Sequence, residues 1–372
     1  MIPKQVLIRA GAPPKHLPGV VRISPAPPPQ PKPRTPLMNP FTHPLDRRQF
    51  LAAAGAASLA AWSASPARAA APSFKTTIRK AKILGNPDEA MLRQLKEAGF
   101  DGIEVSTIMV EDRAKRTREL VEAAGLKVHS VLRGWAEFNS DDPAKADASR
   151  GVTELALRTA HWLGAETVLL VPCRVGGGRA GSPGADIAMP QPWEFDIEFD
   201  EKTGHVSRVV KGDNAPFARY IAAQNRATDT SKEHVRKLIP LAEELNVIVA
   251  LENVWNNLWV RPDLYRNFVG SFNHPYVKAY YDVGNHVKYL VPVHDWIRTL
   301  GPLIKKIHIK DYALAPDNHS GKFVHPRDGS IDWPKMRQAL DDVGYNGWIT
   351  VEDNGLPLPE FASRLDKIIA GV

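Results

Sequence analysis

The sequence predicts one α/β domain over residues 72–372, a (β/α)₈ TIM barrel, and three observations carry that expectation. Eight short apolar runs alternate with eight longer amphipathic stretches over about 300 residues, the rhythm of a parallel sheet wrapped in helices. Four successive late strands end on Glu252, Asp282, His308 and Glu352, so metal-ligating side chains collect at strand carboxyl ends, which a closed barrel draws together. No Gly-x-Gly-x-x-Gly joins the first strand to the first helix, which weighs against a doubly wound open sheet with a similar alternation.

Taken in order, the first strand, Thr76–Leu84, is the most polar. The helix over Pro87–Ala98 starts on proline and is followed by Gly99, the usual asymmetry of helix ends. Strand Gly102–Val105, helix Val110–Ala124, strand Lys127–Leu132, helix Pro143–Leu163 and strand Thr167–Val171 complete the first half. An insertion around residues 174–216 then breaks the rhythm. It opens on Gly176-Gly-Gly178 and Gly181-Ser-Pro-Gly184, and its segments Glu194–Asp200 and His205–Val210 read as a hairpin turning through Glu201-Lys-Thr-Gly204. By position it is a substrate lid or a surface decoration. Its glycines lack the Gly-Lys-Ser/Thr that would make them a phosphate loop.

The second half repeats the alternation. A helix within Phe217–Leu245 precedes strand Val247–Asn253, helix Pro262–Phe272 and strand Val277–Val283. Helix His294–Ile304, strand Lys306–Lys310, helix Trp333–Val343, strand Gly347–Glu352 and helix Pro359–Ile369 finish it.

The N-terminus has a different character. Residues 1–46 hold thirteen prolines, a composition for a disordered leader, and Met38 is an alternative start. In residues 47–71, Arg47-Arg48-Gln49-Phe50-Leu51 precedes an Ala-rich apolar stretch to about Trp62 and the small-x-small site Ala67-Arg68-Ala69. That order is a twin-arginine signal peptide, so the expectation is export to the periplasm or beyond, with the export machinery as partner. The net charge of +7 belongs to this region. Residues 1–37 and 38–71 carry +6 and +2, which leaves about −1 for the body and no electrostatic footprint for nucleic acid. No apolar run is long enough for a mature membrane anchor. The single cysteine, Cys173, sits in an apolar run as a buried thiol and forms no intrachain disulfide.

Two glutamates, an aspartate and a histidine on consecutive strand ends form an oxygen-rich set suited to Mn²⁺, Co²⁺, Mg²⁺ or Zn²⁺. The expected metal ligands are therefore Glu252, Asp282, His308 and Glu352. Glu104, His129, Trp255, Asn285 and Lys310 lie at or just past strand ends and are expected to bind substrate. Trp135, Asn256 and Trp259 are placed to wall a pocket, Trp333 and Trp348 to pack the core, and Asp311 and Asp353 to orient the ligands they follow.

Gly99-Phe-Asp-Gly-Ile-Glu104, Leu251-Glu-Asn253, Asp282-Val-Gly-Asn285, His308-Ile-Lys-Asp311, Gly329-Ser-Ile-Asp-Trp333 and Gly344-Tyr-Asn-Gly-Trp348 followed by Glu352 occur in that order. In these pieces residues 78–370 resemble the xylose-isomerase-like barrels of sugar and sugar-phosphate isomerases and epimerases. The likeness is strongest to the branch of L-ribulose- and L-xylulose-5-phosphate 3-epimerases and hexulose-phosphate isomerases. The resemblance implies a metal-dependent isomerase or epimerase in which the ion polarises a carbonyl and stabilises an enediolate. Glu252 and Glu352 would then be the acid/base pair that moves a proton between faces. Two features depart from the pattern. Free-ketose 3-epimerases carry a His three residues after the strand-six Asp, where this chain has Asn285 followed by His286. Sugar phosphates are cytoplasmic, so an exported enzyme is expected to act on an unphosphorylated ketose, a 3-keto sugar or a polyol-derived ketone.

Three other functions compete with it. A lyase or dehydratase can use the same enediolate; a secreted sugar-binding barrel can keep an idle site; phosphodiester cleavage needs more histidines and a basic face. The oligomeric state is left open, with a homo-oligomer compatible.

Overall fold

The computed structural model describes residues 73–177 and 184–372. The expected proline-rich leader, the expected signal at Arg47-Arg48 and the middle of the glycine-rich opening lie outside the described residues.

The alternating runs of the sequence become β1 (Ile78–Ile83), α1 (Glu89–Glu97), β2 (Gly102–Ser106), α2 (Glu111–Ala123), β3 (Lys127–Trp135), α3 (Pro143–Leu163) and β4 (Thr167–Val171). After the insertion follow α4 (Ala218–Leu245), β7 (Ile248–Glu252), α5 (Pro262–Gly270), β8 (Val277–Asp282), α6 (Val293–Leu300) and β9 (Ile304–Ile309). The chain ends with α7 (Trp333–Asp342), β12 (Gly347–Val351) and α8 (Leu358–Ala370). The eight long strands close into a parallel barrel in the order β1, β2, β3, β4, β7, β8, β9, β12. This is the expected (β/α)₈ barrel.

The closing seam pairs the ends of the domain, with Ile78 opposite Gly347 and Lys82 opposite Val351. Asp341 Oδ1 clasps it by accepting bonds from Lys75 N (2.8 Å), Thr76 N (2.9 Å) and Thr76 Oγ1 (2.8 Å). Strand side chains facing outward pack on the helices in one large core that includes Ile103, Val131, Val249, Tyr281, Ile307 and Ile349. The inward face holds only a small apolar cluster of Leu169, Val171, Ala250 and Tyr280. The rest of the interior is polar, and that is what positions the site.

Three elements differ from the expectation. The insertion hairpin is only β5 (Glu198–Phe199) and β6 (Val206–Arg208). Side chains replace its ladder: Asp200 Oδ1 takes the N–H groups of Lys202 and Thr203 at 2.9 and 2.8 Å, and Asn214 Oδ1 those of Val209 and Val210 at 2.8 and 3.2 Å. The helix expected to reach Ile304 stops at Leu300, because Gly301-Pro302 cannot continue it. An unforeseen antiparallel hairpin follows β9, formed by β10 (Asp311–Leu314) and β11 (Gly321–Val324). Among the described residues no helix is long and apolar enough to cross a membrane.

Candidate metal centre and active site

A barrel strand alternates its side chains between core and lumen, so Ala250 and Glu252, Tyr280 and Asp282, Lys306 and His308, and Thr350 and Glu352 point inward in pairs. The second member of each pair stands at the carboxyl end. Glu252, Asp282, His308 and Glu352 each offer one ligand atom, and these atoms lie within 4.8 Å of one another. Glu252, Asp282 and His308 are buried, and the Glu352 side chain is 37% exposed, which leaves the cluster open on its β12 side.

His308 is held from both ring nitrogens. Nε2 lies 3.1 Å from Glu104 Oε1, while Nδ1 lies 3.1 Å from Glu252 Oε1 and 3.2 Å from Glu352 Oε2. Glu104 Oε2 also accepts the Tyr280 hydroxyl at 2.5 Å. With Nε2–H donated to Glu104, Nδ1 turns toward the two glutamates as a metal ligand would. Burial opposes a charge on this imidazole, but Glu104, Glu252 and Glu352 hold its pKa well above the ordinary histidine value.

Asp282 is placed by backbone exchange with a neighbouring side chain. Asn253 Oδ1 accepts from Asp282 N at 2.6 Å and Asn253 Nδ2 donates to Asp282 O at 2.8 Å. Asp282 Oδ1 accepts from the N–H groups of Gly284 and Asn285 at 2.9 and 2.7 Å. Its other oxygen, Oδ2, is buried and lacks a well-aligned donor, with Lys310 Nζ 3.1 Å away. Lys310 Nζ also donates to Glu352 Oε2 at 2.8 Å. Gly284 makes room for this lysine, since a Cβ there would stand 2.7 Å from Lys310 Cγ.

The electrostatics fit a cation. Burial, then repulsion from Glu352 and Glu252, outweighs Lys310 and pushes the Asp282 carboxyl up to about 8. Burial also raises Glu252. For Glu352 burial is overcome by His308 and Lys310, which bring it well below the usual carboxylate range. Three carboxylates crowd around His308 and Lys310, and the strain of ionising them together, with the unfilled Asp282 oxygen, suits a divalent ion.

The other expected site residues are spread over two levels. Lys310 stands in the cluster itself. Glu104 and His129 are fully buried and line no open space. Glu104 lies beneath His308. His129 contacts Thr350 Oγ1 at 2.9 Å and stacks on Trp348 with centroids 4.7 Å apart. Asn285 is buried and donates to Asn253 O at 3.0 Å, so its role in the structure is to brace the β7 and β8 ends. Trp255 reaches the rim, where it donates to Asn285 O at 2.6 Å and stacks on Phe323 at 5.0 Å. Trp259 is no pocket wall: it is 1% exposed and packs on Tyr265. Asp311 and Asp353 do not orient ligands directly. Asp311 Oδ2 gathers Arg327 N, Gly329 N and Trp333 Nε1 at 3.1, 3.0 and 3.2 Å, and Asp353 Oδ2 contacts His325 Nδ1 at 2.7 Å.

Sequence reasoning missed Tyr280, Asn253 as a brace, and His325. The two-residue inward period from Asp282 would have found Tyr280. A cavity of about 490 Å³ opens beside Lys310 and Glu352, walled by Lys322, Phe323, His325 and Asp353. A larger one of about 850 Å³ lies between α1 and α8 in the outer helical layer and has no metal-ligating cluster.

The chain belongs to the xylose isomerase-like TIM barrel family, whose model matches residues 92–367. No curated protein matches the sequence significantly. Among solved structures, 3-keto-D-glucoside 4-epimerase from E. coli, in its apo form, is 14% identical with a TM-score of 0.58, covering 78% of this chain and 99% of its own. An L-ribulose 3-epimerase is 14% identical with a TM-score of 0.56, covering 79% and 95%. A probable 3-DHS dehydratase from Bacillus anthracis is 15% identical with a TM-score of 0.55, covering 78% and 99%. These likenesses establish the shared barrel.

Proposed function

We propose that the protein is a divalent-metal-dependent isomerase or epimerase that acts on an unphosphorylated sugar by proton transfer next to a carbonyl. The observation that carries this reading is the convergence of Glu252, Asp282, His308 and Glu352 within 4.8 Å at the carboxyl ends of four neighbouring strands. Those four residues would hold the ion. Bound there, a divalent ion supplies Lewis-acid polarisation of a carbonyl oxygen, which acidifies the adjacent C–H.

The chain's own groups do the proton work. Glu252 ends β7 and Glu352 directly follows β12, on either side of the β8–β9 pair, and so they approach the site from two directions. One carboxylate takes the proton from carbon, leaving an enediolate, and the other returns a proton to the opposite face. Lys310 Nζ, between Asp282 and Glu352, faces the negative charge that develops on oxygen.

The twin-arginine pattern at Arg47-Arg48 supports an exported enzyme and therefore an unphosphorylated substrate. So does the barrel shared with an enzyme named for a 3-keto-D-glucoside. Fractionation of cells producing the full chain tests location, and activity confined to the cytoplasm would remove that support. Metal analysis joined to solvent-deuterium exchange over ketoses and keto sugars tests the chemistry. Glu252→Gln and Glu352→Gln should each abolish exchange with the fold intact; full activity in both refutes the acid/base assignment. The dehydratase on the same barrel favours one second reading, a lyase. Loss of a group from substrate, in place of deuterium in recovered substrate, would select it.

A further inference from the structure

The cavity beside Glu352 and Lys310 has a far wall that the chemistry above does not use, and His325 is its most constrained polar group. Its Nδ1 lies 2.7 Å from Asp353 Oδ2, and its ring meets Phe361 edge-on at 6.3 Å. Gly355 leaves the ring its place: with φ +107°, a Cβ there would stand 3.3 Å from His325 Cε1. Asp353 is fixed in turn, because its carbonyl accepts from Lys82 Nζ, on β1, at 2.5 Å. A carboxylate on Nδ1 selects the tautomer with the proton there and leaves Nε2 as an acceptor. Among the described residues Nε2 has no hydrogen-bond partner.

We propose that His325 is a substrate-contacting specificity residue, whose Nε2 accepts a hydrogen bond from a hydroxyl of a neutral, polyhydroxylated substrate at a carbon beyond those that react. Asp353 is the positioning residue that holds the ring. This rests on the sugar isomerase reading of the adjoining cluster. The volume, about 490 Å³, falls within the roughly 300–1,000 Å³ of small-molecule sites. The charge of the wall fits a neutral ligand. Lys310 is already paired with Asp282 and Glu352, and three carboxylates, Asp328, Glu352 and Asp353, line the cavity. Lys322 is the one cation of the wall with no carboxylate in ion-pair reach among the described residues, too little for a phosphate dianion. Phe323, 45% exposed beside its contacts with Trp255 and Lys310, adds apolar surface that suits sugar C–H groups.

The test uses the full chain loaded with Mg²⁺ and labelled at histidine, with His325 resonances assigned by their loss in His325→Gln. The probes are D-fructose, D-tagatose, L-ribulose and a methyl 3-keto-D-glucoside, and deuterium exchange is followed in the same samples. At least one probe should shift the His325 Nε2 resonance saturably. For that sugar His325→Gln should raise KM about tenfold, with a smaller change in kcat, the effect of one lost hydrogen bond. Asp353→Asn should disturb the His325 tautomer signature and raise KM alike. Turnover of a sugar that leaves His325 unmoved overturns the proposal and leaves the isomerase reading standing. A saturable shift with no exchange supports the contact while removing that reading. If no probe moves His325, the proposal fails.

Discussion

Removing the charge of Glu104 while keeping its shape should weaken metal binding at the proposed centre without unfolding the barrel. This carboxylate is fully buried and accepts from His308 Nε2 at 3.1 Å and Tyr280 Oη at 2.5 Å. In Glu104→Gln one oxygen remains for His308, but the bond is no longer charge-assisted, and an amide N–H faces the tyrosine hydroxyl. The difference between a charged and a neutral hydrogen bond is about 1–2 kcal/mol. Loss of such a partner behind a metal-bound histidine typically lowers metal affinity about 10–100-fold, which is the same scale of energy. Titrating Mn²⁺ into metal-stripped protein should therefore show a drop of that size, with an unchanged circular dichroism spectrum and a parallel fall in deuterium exchange. Glu104→Ala differs, because it leaves two buried donors unpaired at about 1–3 kcal/mol each and should lower Tm clearly. If Glu104→Gln binds Mn²⁺ within twofold of the parent, Glu104 does not set His308 for the metal and this reasoning is wrong.

Asn253→Ala strips both hydrogen bonds from the buried Asp282 backbone, so urea melts should lose about 2–5 kcal/mol; a loss below 1 would mean water replaces the amide. Gly284→Ala drives a methyl against Lys310 Cγ at 2.7 Å and its carbonyl at 3.0 Å, and should displace the lysine and cut exchange more than it cuts stability, which paired activity and melting data decide. Cys173 is buried against Ser231, and burial pushes its thiol up to about 12, so a thiol reagent at pH 8 should label it only in denaturant. Burial alone would raise Glu166, but Lys306 and Lys305 at 3.0 and 3.2 Å bring it from 4.5 to about 2. Its folded value is the lower one, so its stabilisation is full above about pH 4.5 and is lost as pH falls toward 2. Lys306 is itself pushed down to about 8 by burial, so the acid-side benefit belongs to Glu166, and Glu166→Gln should flatten melts across that window.

The alternation of apolar runs was enough for the barrel, and the strand ends were enough to group Glu252, Asp282, His308 and Glu352, whose side chains the closed barrel brings together. Both signals are periodic and local, which is why they read so well. Depth is different. Glu104 and His129 sit on inward positions like the ligands, but only the closed barrel shows that their strands place them below the cluster. Trp259 follows a strand end as Trp255 does, yet one is core and the other rim, a distinction made by the path of the loop. The β10–β11 hairpin carried a turn signal in Pro316-Asp317-Asn318, but its strands are four residues each and Trp255, on which Tyr312 and Phe323 pack, lies far off in sequence. His325 follows from that hairpin, so it was hidden with it.

The seam clasped by Asp341 bears on the order in which the molecule assembles. Thr77 N bonds Asn346 Oδ1 across 269 residues of chain, while the other neighbouring strands, apart from β4 and β7 on either side of the insertion, are joined by a few dozen. Each doubling of a closed loop adds about 0.6 kcal/mol, so this seam is about 2 kcal/mol harder to close than an ordinary neighbour pair. The four residues of the candidate metal cluster stand at the ends of strands made adjacent by short, local steps. Non-local pairing of this kind slows folding, so the ligand cluster can gather before the first strand docks. In native-state hydrogen exchange β1 should then be the least protected strand of the barrel, and metal would stabilise the half that binds it more than the seam that seals it.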